Sequence, residues 1–157
     1  MILLKADGDR YQFGMSLAEK TVLLALLERY PMIPLSYYKL SKNLGSDKED
    51  DQAMLEEAMS SRRSLLKKRV TQLMHGESRF HQGQNQLRAT FTREEIEWLL
   101  QVLNDIRVGN WIRLGCPDCE IRMPVPTSRE EKIALAEMEL AAHFECMFLE
   151  AVDGHMK

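Results

Sequence analysis

The sequence predicts a mainly α-helical protein: a compact bundle of about four to five helices, a small N-terminal β-hairpin, and a second short stretch that is either a hairpin or a loop. Three observations support this prediction. Helix-start signals of the type Ser/Thr-x-x-Glu at Ser16, Thr92 and Thr127 each precede apolar residues at helical spacing. An Asp-Gly pair near the N-terminus separates two β-compatible runs. The 157 residues, 45% hydrophobic and 29% charged, suit a single domain over 1–157.

The first elements along the chain are a hairpin and a helix. The hairpin is predicted around Asp7-Gly8, because this dipeptide readily adopts the positive φ of a tight turn between strands. Ser16 and Glu19 form the first capping box, which opens a strongly apolar helix that ends before Pro31.

The next element is a long amphipathic helix predicted from Asp47 to His75. One of its faces carries apolar residues at helical spacing, namely Leu55, Met59, Leu66, Val70 and Leu73. Acidic residues occupy its first half and basic residues its second, the order that the helix macrodipole favours. Beyond it, 79–82 and 87–91 flank Gly83 and form the polar hairpin or loop.

Two further capping boxes predict two further helices. Thr92 with Glu95 opens the first of them, and Thr127 with Glu130 opens the last. Between these helices lies 116–126, which contains three prolines and is expected to be extended.

Charge and hydropathy limit the classes of partner and the compartment. The net charge of -3 gives no overall attraction to nucleic acid or to anionic lipid, so either would need a local patch. No apolar run approaches the roughly 20 residues of a membrane span, and the N-terminal apolar run is broken too early for a signal peptide. We therefore expect a cytoplasmic protein, in which three cysteines are reduced thiols or metal ligands.

The segment from Thr92 to Gly115, which reads TREEIEWLLQVLNDIRVGNWIRLG, resembles an uncharacterised, mainly helical family that is common in actinobacteria. The likeness is carried by the core from Leu103 to Arg107, and it extends more weakly to the first helix and to the basic half of the long helix. The family is a domain of unknown function. The resemblance therefore implies a compact helical fold and no assigned chemistry.

Four residues suggest a structural zinc site. Cys116 and Cys119 form a Cys-x-x-Cys motif, and His143 with Cys146 lie three residues apart on the last predicted helix, which together would give a Cys₃His tetrahedron. The difficulty is distance, because the chain from Cys119 to Thr127 could bring the pairs together only if nearly straight. A polar turn, a buried cysteine and a hydrogen-bonded histidine are the favoured alternative, so no cofactor is expected.

A basic cluster on the long helix suggests nucleic-acid binding, and its members are Arg62, Arg63, Lys67, Lys68 and Arg69. The order of helix, short helix, basic helix and hairpin is that of a winged helix. At 100° per residue, however, Lys68 and Arg69 point away from Arg63 and Lys67, so the charges encircle the helix. A solvated surface is therefore the favoured interpretation.

Arg107 and Asn110 are expected to be buried, because helical projection places both in the apolar stripe that contains Leu103. A buried cation needs a partner. If the last two helices are antiparallel and end level with each other, Glu137 lies opposite Arg107. A structural ion pair is favoured over an active-site carboxylate with an arginine clamp.

The sequence has no phosphate-binding glycine loop, no nucleophile-elbow serine and no metalloprotease histidine pair, so catalysis is not expected. The leading hypothesis is a non-catalytic protein-interaction or regulatory module that binds another protein or itself. Met54, Met59 and Met74 suit either an adaptable surface or core filling. The alternatives are a winged-helix-like DNA-binding regulator and a domain with a structural zinc site.

Overall fold

The computed structural model describes residues 1–38, 48–76, 79–83, 86–116 and 125–154. Within these ranges the strands are β1 (Ile2–Asp7), β2 (Arg10–Met15), β3 (Phe80–Gln82) and β4 (Leu87–Thr92). The helices are α1 (Leu17–Glu28), α2 (Lys48–His75), α3 (Arg93–Arg113) and α4 (Arg129–Asp153), with a short 3₁₀ helix at Leu35–Tyr38. The mainly helical class and the N-terminal hairpin are thus confirmed, and the second stretch is a hairpin.

The two hairpins join into one antiparallel sheet in the order β1-β2-β4-β3, so the fold is not a simple helical bundle. Strands β2 and β4 pair with Tyr11 opposite Phe91 and Phe13 opposite Ala89, and all four side chains are buried. Phe13, Phe91 and Phe148 of α4 pack edge to face, with ring centroids 5.4 to 6.0 Å apart. A lone hairpin is only marginally stable in water, whereas the joined sheet buries one apolar face against α4.

Local hydrogen bonds set the helix starts. The capping boxes at Ser16/Glu19 and Thr92/Glu95 are both present as predicted. The third box is shifted by one residue, because Ser128 is the N-cap and its partner is Glu131. Glu131 also accepts hydrogen bonds from the backbone N–H and the hydroxyl of Thr127. Its carboxylate therefore binds donors on two residues, Thr127 and Ser128, whereas the carboxylate of a simple capping box binds a donor on one.

Helix α3 lies at the centre of the core, whereas α2 is attached by only half of its length. The buried side chains of α3 are Ile96, Trp98, Leu99, Val102, Leu103, Asp105, Ile106 and Asn110. In α2 the buried side chains are Leu66, Val70 and Leu73, and no residue from 51 to 65 is buried. The second half of α2 therefore anchors the helix, and its first half extends past the core.

The sheet and α3 are fastened together at the start of α3 by a hydrogen-bonded ion pair. The guanidinium of Arg79 donates to both carboxylate oxygens of Glu95, at 2.6 and 2.8 Å, and also to the carbonyl of Thr90 at 3.1 Å. Burial raises the pKa of Glu95, but the bonds from Arg79 and from the Thr92 backbone outweigh it, so the pKa lies below its ordinary value.

We predict that Arg79→Ala lowers the free energy of unfolding by about 1–2 kcal/mol at pH 7 and by much less at pH 3. Because the pKa of Glu95 is lower in the folded protein than in the unfolded chain, its ionised carboxylate stabilises the fold at any pH above the ordinary pKa of Glu. This stabilisation is lost as the pH falls through the pKa that Glu95 has in the folded protein. Denaturant unfolding of the wild type and the variant at both pH values measures the effect. Lys5→Ala, which breaks the exposed Lys5–Asp7 pair, is the control and should change little. An equal loss for Arg79→Ala at both pH values would contradict the prediction.

Candidate functional site

Helix α2 exposes two large apolar side chains, one in each half of the helix. Met54 has 69% of its surface exposed and Leu65 has 52%. Met59 and Met74 are half-buried, so of the three methionines considered above only Met54 is on an open surface. Most helix stability in proteins comes from packing of an apolar face, and within 51–65 only Leu55 and Met59 are half-buried apolar residues and none is fully buried.

The exposed residues of α2 form a regular line, which we call the outer stripe. Its members are Asp51, Met54, Ala58, Ser61, Leu65 and Lys68, all of them exposed. The steps between them alternate between three and four residues, which places them on one side of a helix in the pattern that coiled coils use. The core-facing residues of α2, Leu66, Val70 and Leu73, project from a different side.

Three residues of the basic cluster are bound within the chain. Arg62 donates to the amide oxygen of Gln101 at 2.7 Å, Arg69 donates to Glu94 at 2.9 Å, and Arg63 donates to the carbonyl of Ile33. Lys67 and Lys68 are exposed, and within the described residues no ion pair involves either of them. The arginines thus help to fasten α2 to α3 and to the segment that follows α1.

A polar cleft of about 210 Å³ lies between α2, α3 and that segment. Its lining includes Asp105, which is only 7% exposed. One carboxylate oxygen of Asp105 accepts the backbone N–H groups of Met32 and Ile33, at 2.6 and 3.3 Å. Burial raises the pKa of Asp105, and these two bonds and the charge of Arg63 only partly offset it. Asp105 therefore holds the turn after α1 against α3.

Asp105 was not among the residues singled out from the sequence, because helical projection assigned one buried stripe to α3. The helix in fact has a second buried side, formed by Trp98, Val102, Asp105 and Gly109. A Cβ at Gly109 would collide with the Cβ of Met32, which shows how closely the segment after α1 approaches this side. Asn110 is fully buried on the first stripe, as predicted, and its amide donates to the carbonyl of Ile106 at 3.1 Å.

We predict that Asp105→Ala lowers the free energy of unfolding by about 1–3 kcal/mol, because two N–H groups would lose their acceptor. Asp105→Asn keeps a carbonyl oxygen at the same place and should cost less. Urea unfolding of both variants and the wild type gives the comparison. If the alanine and asparagine variants were equally destabilised, the acceptor role of Asp105 would be wrong.

The predicted pair of Arg107 with Glu137 is not formed. Arg107 instead lies with its Nε 3.0 Å from Glu145 and donates to Asn104 at 2.7 Å, and its side chain is 43% exposed. Glu137 lies 3.1 Å from Arg29 and 4.0 Å from Arg113. Arg107 is therefore a half-exposed cation and not a buried one.

The physical reason for this correction is the register of the two antiparallel helices. Arg113, the last residue of α3, is level with Glu137, which is the ninth residue of α4. About two turns of α4 thus extend beyond the end of α3. The prediction assumed that the helices end level, and the observed offset brings Glu145 to Arg107 instead. Burial raises the pKa of Glu145, and Arg107 counteracts that rise.

We predict a coupling free energy of about 0.5–1 kcal/mol between Arg107 and Glu145, since the pair is only partly exposed to solvent. A double-mutant cycle with Arg107→Ala and Glu145→Ala, followed by chemical unfolding, measures it. The matched cycle of Arg107→Ala with Glu137→Ala should give a value near zero. A larger coupling in the second cycle than in the first would contradict the observed register.

The described cysteines lie far apart along the α3–α4 pair. Cys116 follows the end of α3 and has its Sγ 3.9 Å from the hydroxyl of Tyr37, whereas Cys146 and His143 are exposed on α4. The helix register places Cys146 about three turns, or ~16 Å, from the level of Cys116, and zinc ligands lie only about 2.3 Å from their ion. Within the described residues no group of three His, Cys, Asp or Glu side chains could hold a metal ion. Cys119 lies outside the described residues.

Comparisons with models of protein families, with curated proteins and with solved structures found no match to this chain. The family resemblance of the segment from Thr92 to Gly115 therefore stays a prediction. In the described ranges, none of the helices combines the length and the apolar character needed to cross a bilayer.

Proposed function

We propose that this protein acts without catalysis, as a module that binds another protein through the outer stripe of α2. The observation that carries the proposal is the state of residues 51–65, which are helical, mostly exposed and without a buried member. Met54 and Leu65 are the large apolar groups on this surface. Exposed apolar side chains at coiled-coil spacing are typical of a helix that packs against a partner.

The chemistry of the stripe suits a helical partner. Ala58 and Ser61 lie between the two large side chains, and their small size lets another backbone come close. The unbranched side chain of Met54 adapts its shape to an irregular surface. A partner helix could therefore pack along the stripe without rearrangement of the core behind it.

The contacts of the basic cluster favour a protein over a nucleic acid as the partner. Phosphate binding needs cations that are free to displace counterions, and Arg62, Arg63 and Arg69 already bind groups of this chain. The first half of the same helix is acidic. Two features still favour the winged-helix alternative. They are the element order α1, 3₁₀ helix, α2 and β3–β4, and the exposure of Lys67 and Lys68.

A pull-down from native lysate tests the proposal. The baits are the tagged wild type, the variant Met54→Glu/Leu65→Glu, and the control Leu149→Glu, which places the same charge at an exposed leucine of α4. We expect the wild type and the control to recover the same protein, and the double variant to recover at least tenfold less. The recovered protein is then identified by mass spectrometry, purified and bound again.

Nuclease treatment separates this outcome from nucleic-acid binding. Recovery through the outer stripe should be unchanged after treatment. Recovery that is lost with nuclease and with Lys67→Ala/Lys68→Ala, but is kept by Met54→Glu/Leu65→Glu, would favour the DNA-binding alternative. Circular dichroism of each bait establishes that the substitutions leave the helices intact.

A further inference from the structure

Helix α2 has a charge pattern that is complementary to its own reverse. Counted outward from the point between Met59 and Ser60, four of the five acidic residues of α2 correspond to basic residues, and the exception is Glu49, which corresponds to Val70. On the outer stripe the corresponding positions are Asp51 with Lys68, Met54 with Leu65, and Ala58 with Ser61. Off the stripe, Glu56 corresponds to Arg63 and Glu57 to Arg62 in sequence order only, because the first two lie on the opposite face of the helix and the other two lie on opposite flanks of the stripe.

We propose that the partner of the outer stripe is a second copy of this chain, with the two α2 helices packed antiparallel about the point between Met59 and Ser60. The inference rests on the proposed function, because it names the occupant of the same surface. An isologous two-fold contact requires each patch to complement itself, so that residue i meets residue j and j meets i. The stripe satisfies this requirement at each of its six positions.

The layers of this contact follow from the spacing. The small Ala58 and Ser61 meet at the two-fold axis, where they let the helices approach closely. Met54 packs against the partner's Leu65 on either side of the axis. Asp51 lies opposite the partner's Lys68 at both ends. The apolar surface comes from four large side chains per dimer, so the contact depends on its charges and weakens as salt screens them.

The charges that this contact uses are available. Asp51 and Lys68 are exposed, and no residue whose side chain is described forms an ion pair with either of them. Arg63 and Arg69, by contrast, are half-buried and bind Ile33 and Glu94 on the core side of the helix. Self-pairing through the stripe therefore needs no internal contact to break.

Only the antiparallel arrangement fits the charges. In a parallel pair Asp51 would face the partner's Asp51 and Lys68 the partner's Lys68, which is repulsive at both ends. In the antiparallel pair the acidic half of each α2 lies along the basic half of the other. The charge order thus specifies the orientation as well as the partner.

Charge reversal at the ends of the stripe tests the proposal. Sedimentation equilibrium at low salt, over a concentration series of the full chain, should show a monomer–dimer equilibrium for the wild type. Asp51→Lys and Lys68→Asp should each raise the dimer Kd at least ~10-fold, because like charges then meet twice per dimer. The combined variant Asp51→Lys/Lys68→Asp should return the Kd to near the wild-type value. An equimolar mixture of the two single variants should form a heterodimer, since each end then pairs opposite charges.

The control is Lys67→Asp, which makes the same change of charge one residue away from the stripe and should alter the Kd much less. A wild type that stays monomeric throughout the series, or a combined variant that does not recover, would overturn self-pairing. Unchanged dimerisation of Asp51→Lys would overturn the antiparallel orientation. If the chain is monomeric while the lysate pull-down still recovers a stripe-dependent partner, the proposed function stands and only the identity of the partner is wrong.

Discussion

The burial of α3 on two sides is the constraint on which the rest of the structure depends. One side carries the apolar stripe that ends in Asn110. The other side carries Asp105 and Gly109, and there the segment after α1 comes so close that no side chain fits at position 109. A helix buried in this way needs polar groups that are satisfied inside, and the Asp105 carboxylate meets that need by accepting two backbone N–H groups.

This arrangement decides how α2 is used. The side of α3 that faces the cleft carries Gln101 and Asp105. Arg62 and Arg63 of α2 line the same cleft, and Arg62 donates a hydrogen bond to Gln101. The basic half of α2 therefore lies along the core together with Leu66, Val70 and Leu73. The acidic half has no such surface to meet and projects beyond it. The same contacts fasten one side of the basic half and leave the outer stripe, which runs along both halves of the helix, available to a partner.

Interactions that are local in sequence were predictable, and those that depend on distant segments were not. The capping boxes at Ser16 and Thr92 involve residues three apart, and both form as predicted. The pairing of β2 with β4 joins strands more than 70 residues apart, for which no local pattern exists. The offset of α4 against α3 depends on the long connection between them, so the partner of Arg107 could not be read from helix lengths. The spacing of the outer-stripe residues is present in the sequence, but their exposure depends on which side of α2 packs against α3.

Contacts among the described side chains do not account for the whole charge order of α2. The macrodipole favours acids in the first turn and bases in the last, but Glu57 and Arg62 lie in the middle of a 28-residue helix, where that effect has faded. Intrahelical pairing does not account for all of it either: Asp51 has Lys48 three residues before it, but Glu57 and Lys68 have no opposite charge three or four residues away in α2. Arg62 and Arg63 have uses within the fold, whereas the exposed Asp51 and Lys68 have none among the described residues. In the proposed dimer, Asp51 and Lys68 each gain a neighbour of opposite sign on the partner.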